Sequence, residues 1–324
     1  MNINVFYFVA NYILIFVFFM ILGNAFVKLI GKHISVPPLI SIEGITWRIC
    51  LGSITTIYLA TLVLSLEREA FLLITYVMVV LAMIVIVKDM NKYLMRGKNK
   101  KILLPTISIL LSIIMLEFYM YGTKLGELFV IPNGDARAYG FVANIFGREG
   151  ITLKLSEEKY ISYIPSLHFV SFPFPALNAF FARLLSSEIP IIQLHLYLFF
   201  FSMWPFAIYT LALDIAKNKA VSLLVALFSI ISSPVIYLYF YWGGISESLG
   251  WFLFMMGSFI ILKTWTSFED IPSKWNINSL KIIFVSLIMS ISILFTHIIC
   301  AFALLVILLA YPLVLRRKLM IIKQ

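Results

Sequence analysis

Long apolar runs that recur along almost the whole chain restrict its fold more than any other feature of the sequence. A helix that crosses the hydrocarbon core of a bilayer needs about 20 apolar residues. Of the 324 residues, 62% are hydrophobic and 12% are charged, a composition typical of membrane proteins. The predicted spans are 5–27, 45–66, 70–87, 102–121, 190–213, 220–240, 245–262, 281–296 and 298–315. The sequence therefore predicts an all-α, polytopic transmembrane protein with about nine spans.

The net charge and the cysteines restrict the fold less than the apolar runs do. The net charge of +10 does not indicate nucleic-acid binding, because the basic residues cluster at the ends of apolar runs, where they set orientation. Cys50 and Cys300 lie in or at the edge of apolar runs, so we expect two buried thiols and no disulfide. The N-terminus has no basic segment, and its apolar run is too long for a signal peptide. We expect a retained helix there.

The stretch 163–184 decides the topology, because it is apolar but interrupted by Pro165, Pro173 and Pro175. The basic run within 88–101 marks a cytoplasmic loop. If 163–184 does not cross, 18 of the 25 Lys and Arg are cytoplasmic, and six of the other seven lie in a long outer loop, where charge has little weight. We predict an integral cell-membrane protein with the N-terminus outside and the C-terminus cytoplasmic. The stretch would lie along or dip into the outer leaflet, beside a cavity.

Three regions follow from this topology. Residues 1–101 form a three-span region with the basic cytoplasmic loop, residues 102–316 form a membrane core, and residues 317–324 form a cytoplasmic tail. The outer loop 122–189 belongs to the core and is the only polar region large enough to build a site. It begins with the turn Pro132-Asn133-Gly134 and a predicted juxtamembrane helix that carries Asp135 at its mouth. The apolar side of this helix is Tyr139, Val142, Ile145 and Phe146, and Gly147 or Gly150 ends it.

Further ionisable residues gather at the predicted outer face. They are Glu117 inside a span, Glu247 after a helix break, and His168, His195 and His297. Ionisable groups at membrane depth favour a functional interpretation. Structural alternatives are helix caps for Asp135 and Glu247, a core position for His195 and a turn for His297. We expect Asp135, His168 and Glu247 to line one polar recess.

Metal and nucleotide motifs are absent. The sequence has no HExxH motif, no CxxC pair, no EF-hand loop and no Gly-rich phosphate loop, so zinc, calcium and nucleotide have no support. Whether a divalent cation is needed is left open.

The order of parts nevertheless resembles a known group of enzymes. An outer loop with an acid near its start, GDARAYGFVANIFGREG, is followed by the Pro-containing SFPFPALNAFFARLLSSE and by a span that ends in LALDIAKNK. A helix broken by Ser-Ser-Pro comes next, and a return helix follows YWGGISESLG. This layout resembles the GT-C superfamily of membrane glycosyltransferases over roughly residues 102–316. The chain has Asp135-Ala136 where the protein O-mannosyltransferases of that group have an Asp-Glu pair.

The resemblance implies sugar transfer from a polyprenyl-phosphate donor at the extracytoplasmic face. Asp135 would then be the catalytic base or a metal ligand, with Glu117 or Glu247 as a second acid. Candidates for binding the donor phosphate are Arg137, Arg148 and Lys159, and candidates for the rest of the substrate are His168, His297, Tyr139 and Trp242. Partners would be the bilayer and the lipid-linked sugar. The alternatives are a non-catalytic partner subunit of the same architecture and a transporter.

The topology gives a direct prediction. Cysteines introduced at positions 217 and 317 should resist a membrane-impermeant maleimide added outside intact cells, because both positions are predicted to be cytoplasmic. Labelling of either position from outside would contradict the nine-span topology.

Overall fold

The described part of the protein is helical throughout. A computed structural model describes residues 5–30, 36–39, 41–94, 134–150, 172–231, 245–266, 277–296 and 299–310. Within these ranges no strand occurs. The helices are α1 (Val5–Ile30), α2 (Ile42–Val63), α3 (Arg68–Leu94), α4 (Gly134–Glu149), α5 (Pro173–Leu184), α6 (Ile189–Ala216), α7 (Lys219–Ile231), α8 (Ile245–Thr266), α9 (Ile277–Thr296) and α10 (Ile299–Ala310).

Four helical stretches are long and apolar enough to cross a bilayer: Val9–Leu29, Ile42–Val63, Ile189–Ala216 and Ser248–Trp265. Large apolar side chains are also exposed along α3, α7, α9 and α10, among them Leu73, Phe228, Phe284 and Phe302. So large an exposed apolar surface is unfavourable in water and favourable in lipid. The chain is therefore an integral membrane protein. The predicted span 102–121 lies outside the described residues, and the count of nine spans stays a prediction.

Helices α1 and α2 approach each other through two glycines. A Cβ atom on Gly23 would overlap the carbonyl group of Arg48, and a Cβ atom on Gly52 would overlap the carbonyl group of Phe19. Small residues allow this backbone contact, which is a common way to associate helices in membranes.

A buried arginine joins the same two helices. Arg48 is 3% exposed. Its Nε donates to Asn24 Oδ1 at 2.9 Å, and its Nη1 donates to Gly44 O at 2.8 Å and to Pro37 O at 3.3 Å. A charged group this deep is costly unless it is hydrogen-bonded. The three acceptors therefore connect α1, the segment before α2 and the first turn of α2.

Helix α6 lies at the centre of the described structure and contacts α1, α2, α4, α5, α7 and α8. Its neighbour α5 has only 12 residues, a length of about 18 Å, and is too short to cross a bilayer by itself. Residues 173–182 are buried, so this half of the Pro-interrupted stretch contacts protein on all sides. Residues 163–171 lie outside the described residues.

The start of α2 differs from the predicted one by three residues. The apolar run predicted a span over 45–66, whereas the helix begins at Ile42 and ends at Val63. Ser41 explains the earlier start, because its Oγ accepts from Gly44 N at 2.9 Å and caps the helix.

Glycine packing can be tested with a matched pair of substitutions. Gly52→Ala should lower the melting temperature of the detergent-solubilised protein, because overpacking costs about 1–3 kcal/mol. Gly147→Ala is the control, since a Cβ atom there meets nothing within 4 Å, and it should be neutral or stabilise by about 0.5–1 kcal/mol. Equal melting temperatures for the two variants would contradict the close α1–α2 contact.

Candidate functional site

Helix α4 is the described part of the predicted juxtamembrane helix, and its apolar face packs against neighbouring helices. Tyr139, Val142, Ile145 and Phe146 are buried, as their spacing predicts. The ring of Tyr139 packs edge-on against Phe174 of α5, with centroids 6.2 Å apart. Helix α4 also contacts α6 and α8.

Gly150 ends α4, which confirms one of the two predicted stops; Gly147 lies within the helix. Gly150 has φ +79°, and its N–H donates to Phe146 O at 3.1 Å. Left-handed backbone after the last helical residue is typical of a glycine C-cap. A Cβ atom on Gly150 would lie 2.8 Å from Ser65 Cα, so α4 ends against the turn between α2 and α3.

A second contact ties α5 to the same turn. Arg183 donates from Nη1 to Leu64 O at 3.0 Å and from Nη2 to Leu66 O at 2.6 Å. Leu64 is the C-cap residue of α2 and Leu66 lies in the turn that follows, where a basic side chain is favoured. The guanidinium also lies 4.7 Å from the ring centroid of Phe71. The ends of α2, α4 and α5 therefore meet at one corner, which we call the α2–α5 corner.

Two buried amides lie beneath α4. Asn178 Nδ2 donates to Gln193 Oε1 at 3.4 Å, and both residues are at most 5% exposed. A Cβ atom on Gly140 would come within 3.0 Å of Gln193 Oε1, so α4 rests directly on this amide. Within the described structure Asn178 Oδ1 is buried without a hydrogen-bond partner. A buried acceptor left unpaired costs about 1–3 kcal/mol, which makes Asn178 a candidate for contact with a polar group.

His195 confirms its predicted core position. It is 0% exposed, and Nδ1 lies 2.6 Å from Ile191 O. A carbonyl oxygen only accepts, so Nδ1 carries the proton and donates. This bond within α6 fixes the ring.

The first turn of α8 is fixed to α6. Trp204 Nε1 donates to Ser248 O at 2.9 Å, next to Glu247 in the chain. Glu247 is the third residue of α8, and Asp135 is the second residue of α4, where the helix dipole favours a carboxylate. Since α4 and α8 are in contact, the backbones that carry the two predicted acids belong to neighbouring helices.

The remaining predicted site residues fall into three groups. Tyr139 is buried in the α4–α5 contact, and Arg148 is exposed in the last turn of α4. The side chains of Asp135, Arg137 and Glu247 are outside the described part of the structure. Glu117, Lys159, His168, Trp242 and His297 lie outside the described residues altogether. The expected recess of Asp135, His168 and Glu247 therefore stays a prediction.

A metal site was left open by the sequence. Among the described side chains, no group of three or more His, Cys, Asp or Glu could hold a metal ion. Cys50 and Cys300 are buried, as predicted.

The Asn178–Gln193 amide pair and the contacts of Arg183 were not predicted from the sequence. A signal for Asn178 was present, since it is the only polar residue within PFPALNAFF, and a lone polar residue in an apolar membrane segment favours a specific role. The arginine contacts join positions more than 100 residues apart, which no local pattern predicts.

Comparison with protein-family models, with characterised proteins and with solved structures gave no match.

The α2–α5 corner predicts a stability effect. Arg183→Met keeps a long side chain but removes both donors to the Leu64 and Leu66 carbonyls, and hydrogen bonds to charged groups contribute about 1.5–3 kcal/mol each. The variant should melt at a clearly lower temperature in detergent. Arg148→Met, the control, removes an exposed arginine from α4 and should leave the melting temperature unchanged. An Arg183→Met protein as stable as the wild type would show that the corner contributes nothing.

Proposed function

We propose that the protein is a membrane glycosyltransferase of the GT-C type, which moves a sugar from a polyprenyl-phosphate donor to an acceptor hydroxyl at the extracytoplasmic face. The observation that carries the proposal is the position of Asp135 in the first turn of α4, a helix docked on α5, α6 and α8. A carboxylate at the mouth of a docked outer helix is the arrangement that the sequence resemblance implies.

The contacts at the two ends of α6 support the proposed topology. This helix has 28 residues, about 42 Å, which exceeds a hydrocarbon core of about 30 Å. At its first end lie the α2–α5 corner and the end of α4. At its last end the Asp214 carboxylate accepts from Lys217 at 2.8 Å and from Lys263 at 2.6 Å. The α2–α5 corner and the end of α4 were predicted to be outside, and Asp214, Lys217 and Lys263 were predicted to be cytoplasmic. The contacts are therefore consistent with nine spans and an outer loop at 122–189.

The proposed chemistry needs few groups. The Asp135 carboxylate takes the proton from the acceptor hydroxyl as its oxygen bonds to the anomeric carbon. The bond between that carbon and the phosphate oxygen breaks, and polyprenyl phosphate leaves with the bonding electrons. Arg137, Arg148 and Lys159 would stabilise the phosphate, and Glu117 or Glu247 would be the second acid.

The buried position of Tyr139 changes one detail of the proposal. Its ring packs against Phe174 and is not available to the sugar. We therefore propose that Trp242 supplies the flat apolar surface on which the sugar binds. We propose that His168 and His297 contact the substrate together. A contact between the rings of Phe172 and Phe295, with centroids 5.4 Å apart, supports this, because these residues are near the two histidines in sequence.

Purified protein with a labelled polyprenyl-phosphate sugar provides the test. Asp135→Asn should lower transfer of label by about 10²–10⁴-fold, the usual contribution of a positioned acid or base. Folding should be preserved, because Asn has nearly the same shape as Asp and loss of a carboxylate from the first turn of a helix costs only about 0.3–1 kcal/mol. Glu149→Gln is the matched control, since it makes the same carboxylate-to-amide change at the other end of α4, and it should keep wild-type transfer.

Two results would contradict the proposal. Wild-type transfer by Asp135→Asn would remove Asp135 from the mechanism. No transfer by folded wild-type protein from any polyprenyl-phosphate sugar tested would favour the non-catalytic partner subunit instead.

A further inference from the structure

Two arginines, Arg68 and Arg183, lie at the α2–α5 corner. Arg183 is held by the carbonyls of Leu64 and Leu66 and by the ring of Phe71. Arg68, the first residue of α3, donates from Nη2 to Ser186 Oγ at 3.0 Å, on the turn that follows Arg183. Neither guanidinium forms a salt bridge with a described carboxylate. Two like charges held together without a counterion are unfavourable.

The glutamates near the corner do not form ion pairs with the two guanidiniums. Four glutamates, Glu67, Glu69, Glu149 and Glu188, flank the corner in sequence and are exposed to solvent. None of them pairs with Arg68 or Arg183, even though two are the direct neighbours of Arg68. Burial, and then the charge of Arg68, lower the pKa of the Arg183 guanidinium, so the two cations are near enough to repel each other.

The depth of the pair in the membrane identifies the kind of anion. The apolar span of α2 ends at Val63, directly before the carbonyls that Arg183 binds. Beyond Arg68, α3 exposes an apolar surface that includes Leu73, Ile74, Val77 and Leu81. The two guanidiniums therefore lie at the level of lipid headgroups, and the exposed surface of α3 leads from them into the hydrocarbon region.

From this placement we propose that Arg68 and Arg183 bind the phosphate group of a membrane lipid whose chains lie along α3. A guanidinium offers five N–H donors, and Arg183 has given two to carbonyls while Arg68 has given one to a hydroxyl. Planar guanidinium groups bind phosphate through paired, charge-assisted hydrogen bonds. The positive end of the α3 dipole adds to the attraction. Lipid binding at Arg68 and Arg183 does not require glycosyl-transfer activity.

The test measures lipid binding by the purified full-length protein in detergent. The probes are short-chain phosphatidylglycerol, short-chain phosphatidylcholine and a short polyprenyl phosphate, and the readout is the apparent Kd from the lipid-dependent rise in melting temperature. Arg68→Gln is the main variant, because Arg68 is exposed and a glutamine can still hydrogen-bond to Ser186. Lys219→Gln is the control: Lys219 is also the exposed first residue of a helix, and its loss changes the net charge equally.

We expect phosphatidylglycerol or polyprenyl phosphate to bind more tightly than phosphatidylcholine. Arg68→Gln should weaken that binding by about tenfold, the effect of one lost charge-assisted hydrogen bond, and Arg68→Lys should lie between. The tighter of the two anionic probes identifies the source of the phosphate as bulk phospholipid or as a polyprenyl carrier. An unchanged Kd in Arg68→Gln, an equal loss in Lys219→Gln, or no preference for the anionic lipids would overturn the proposal.

Discussion

The backbone contact between α1 and α2 supports the rest of the described structure. Gly23 and Gly52 allow the two helices to touch, and Arg48 is buried where they meet, with its charge distributed over Asn24 and two carbonyls. In lipid there is little hydrophobic drive for helices to associate, so close packing and internal hydrogen bonds must supply it. Helix α2, once placed in this way, contacts α3, α5, α6 and α8, and the turn that follows it supplies the carbonyls that hold Arg183.

The short helix α5 depends on this framework. A helix of 12 residues is too short to cross a bilayer, so at membrane depth its ends must be covered by protein, because lipid cannot satisfy their backbone groups. Phe180 and Phe181 pack against Phe18 of α1, Arg183 closes the end of α5 on α2, and α4 covers it from the other side through Tyr139. Helix α4, which carries Asp135, is thereby positioned by the membrane core, although it lies in the polar loop of the sequence.

The sequence predicted what depends on local pattern. Apolar length predicted the spanning helices, the spacing of Tyr139, Val142 and Phe146 predicted the buried side of α4, and burial of His195 and of both cysteines was foreseen. The Ser41 cap moved the start of α2, because capping is decided by a single side chain that the apolar pattern does not contain. The Asn178–Gln193 pair and the Arg183 contacts were not predicted, since they require knowledge of which helices are neighbours. The chemical roles of Asp135 and Glu247 stay predictions.

The proposed topology places the α2–α5 corner and the end of α4 together on the extracytoplasmic face. Its most direct measurement is labelling of Glu67→Cys, Arg148→Cys and Glu188→Cys in intact cells with a membrane-impermeant maleimide; the native cysteines are buried and should give little background. If this topology is correct, all three variants are labelled from outside. Protection of any one of them until the membrane is permeabilised would contradict it.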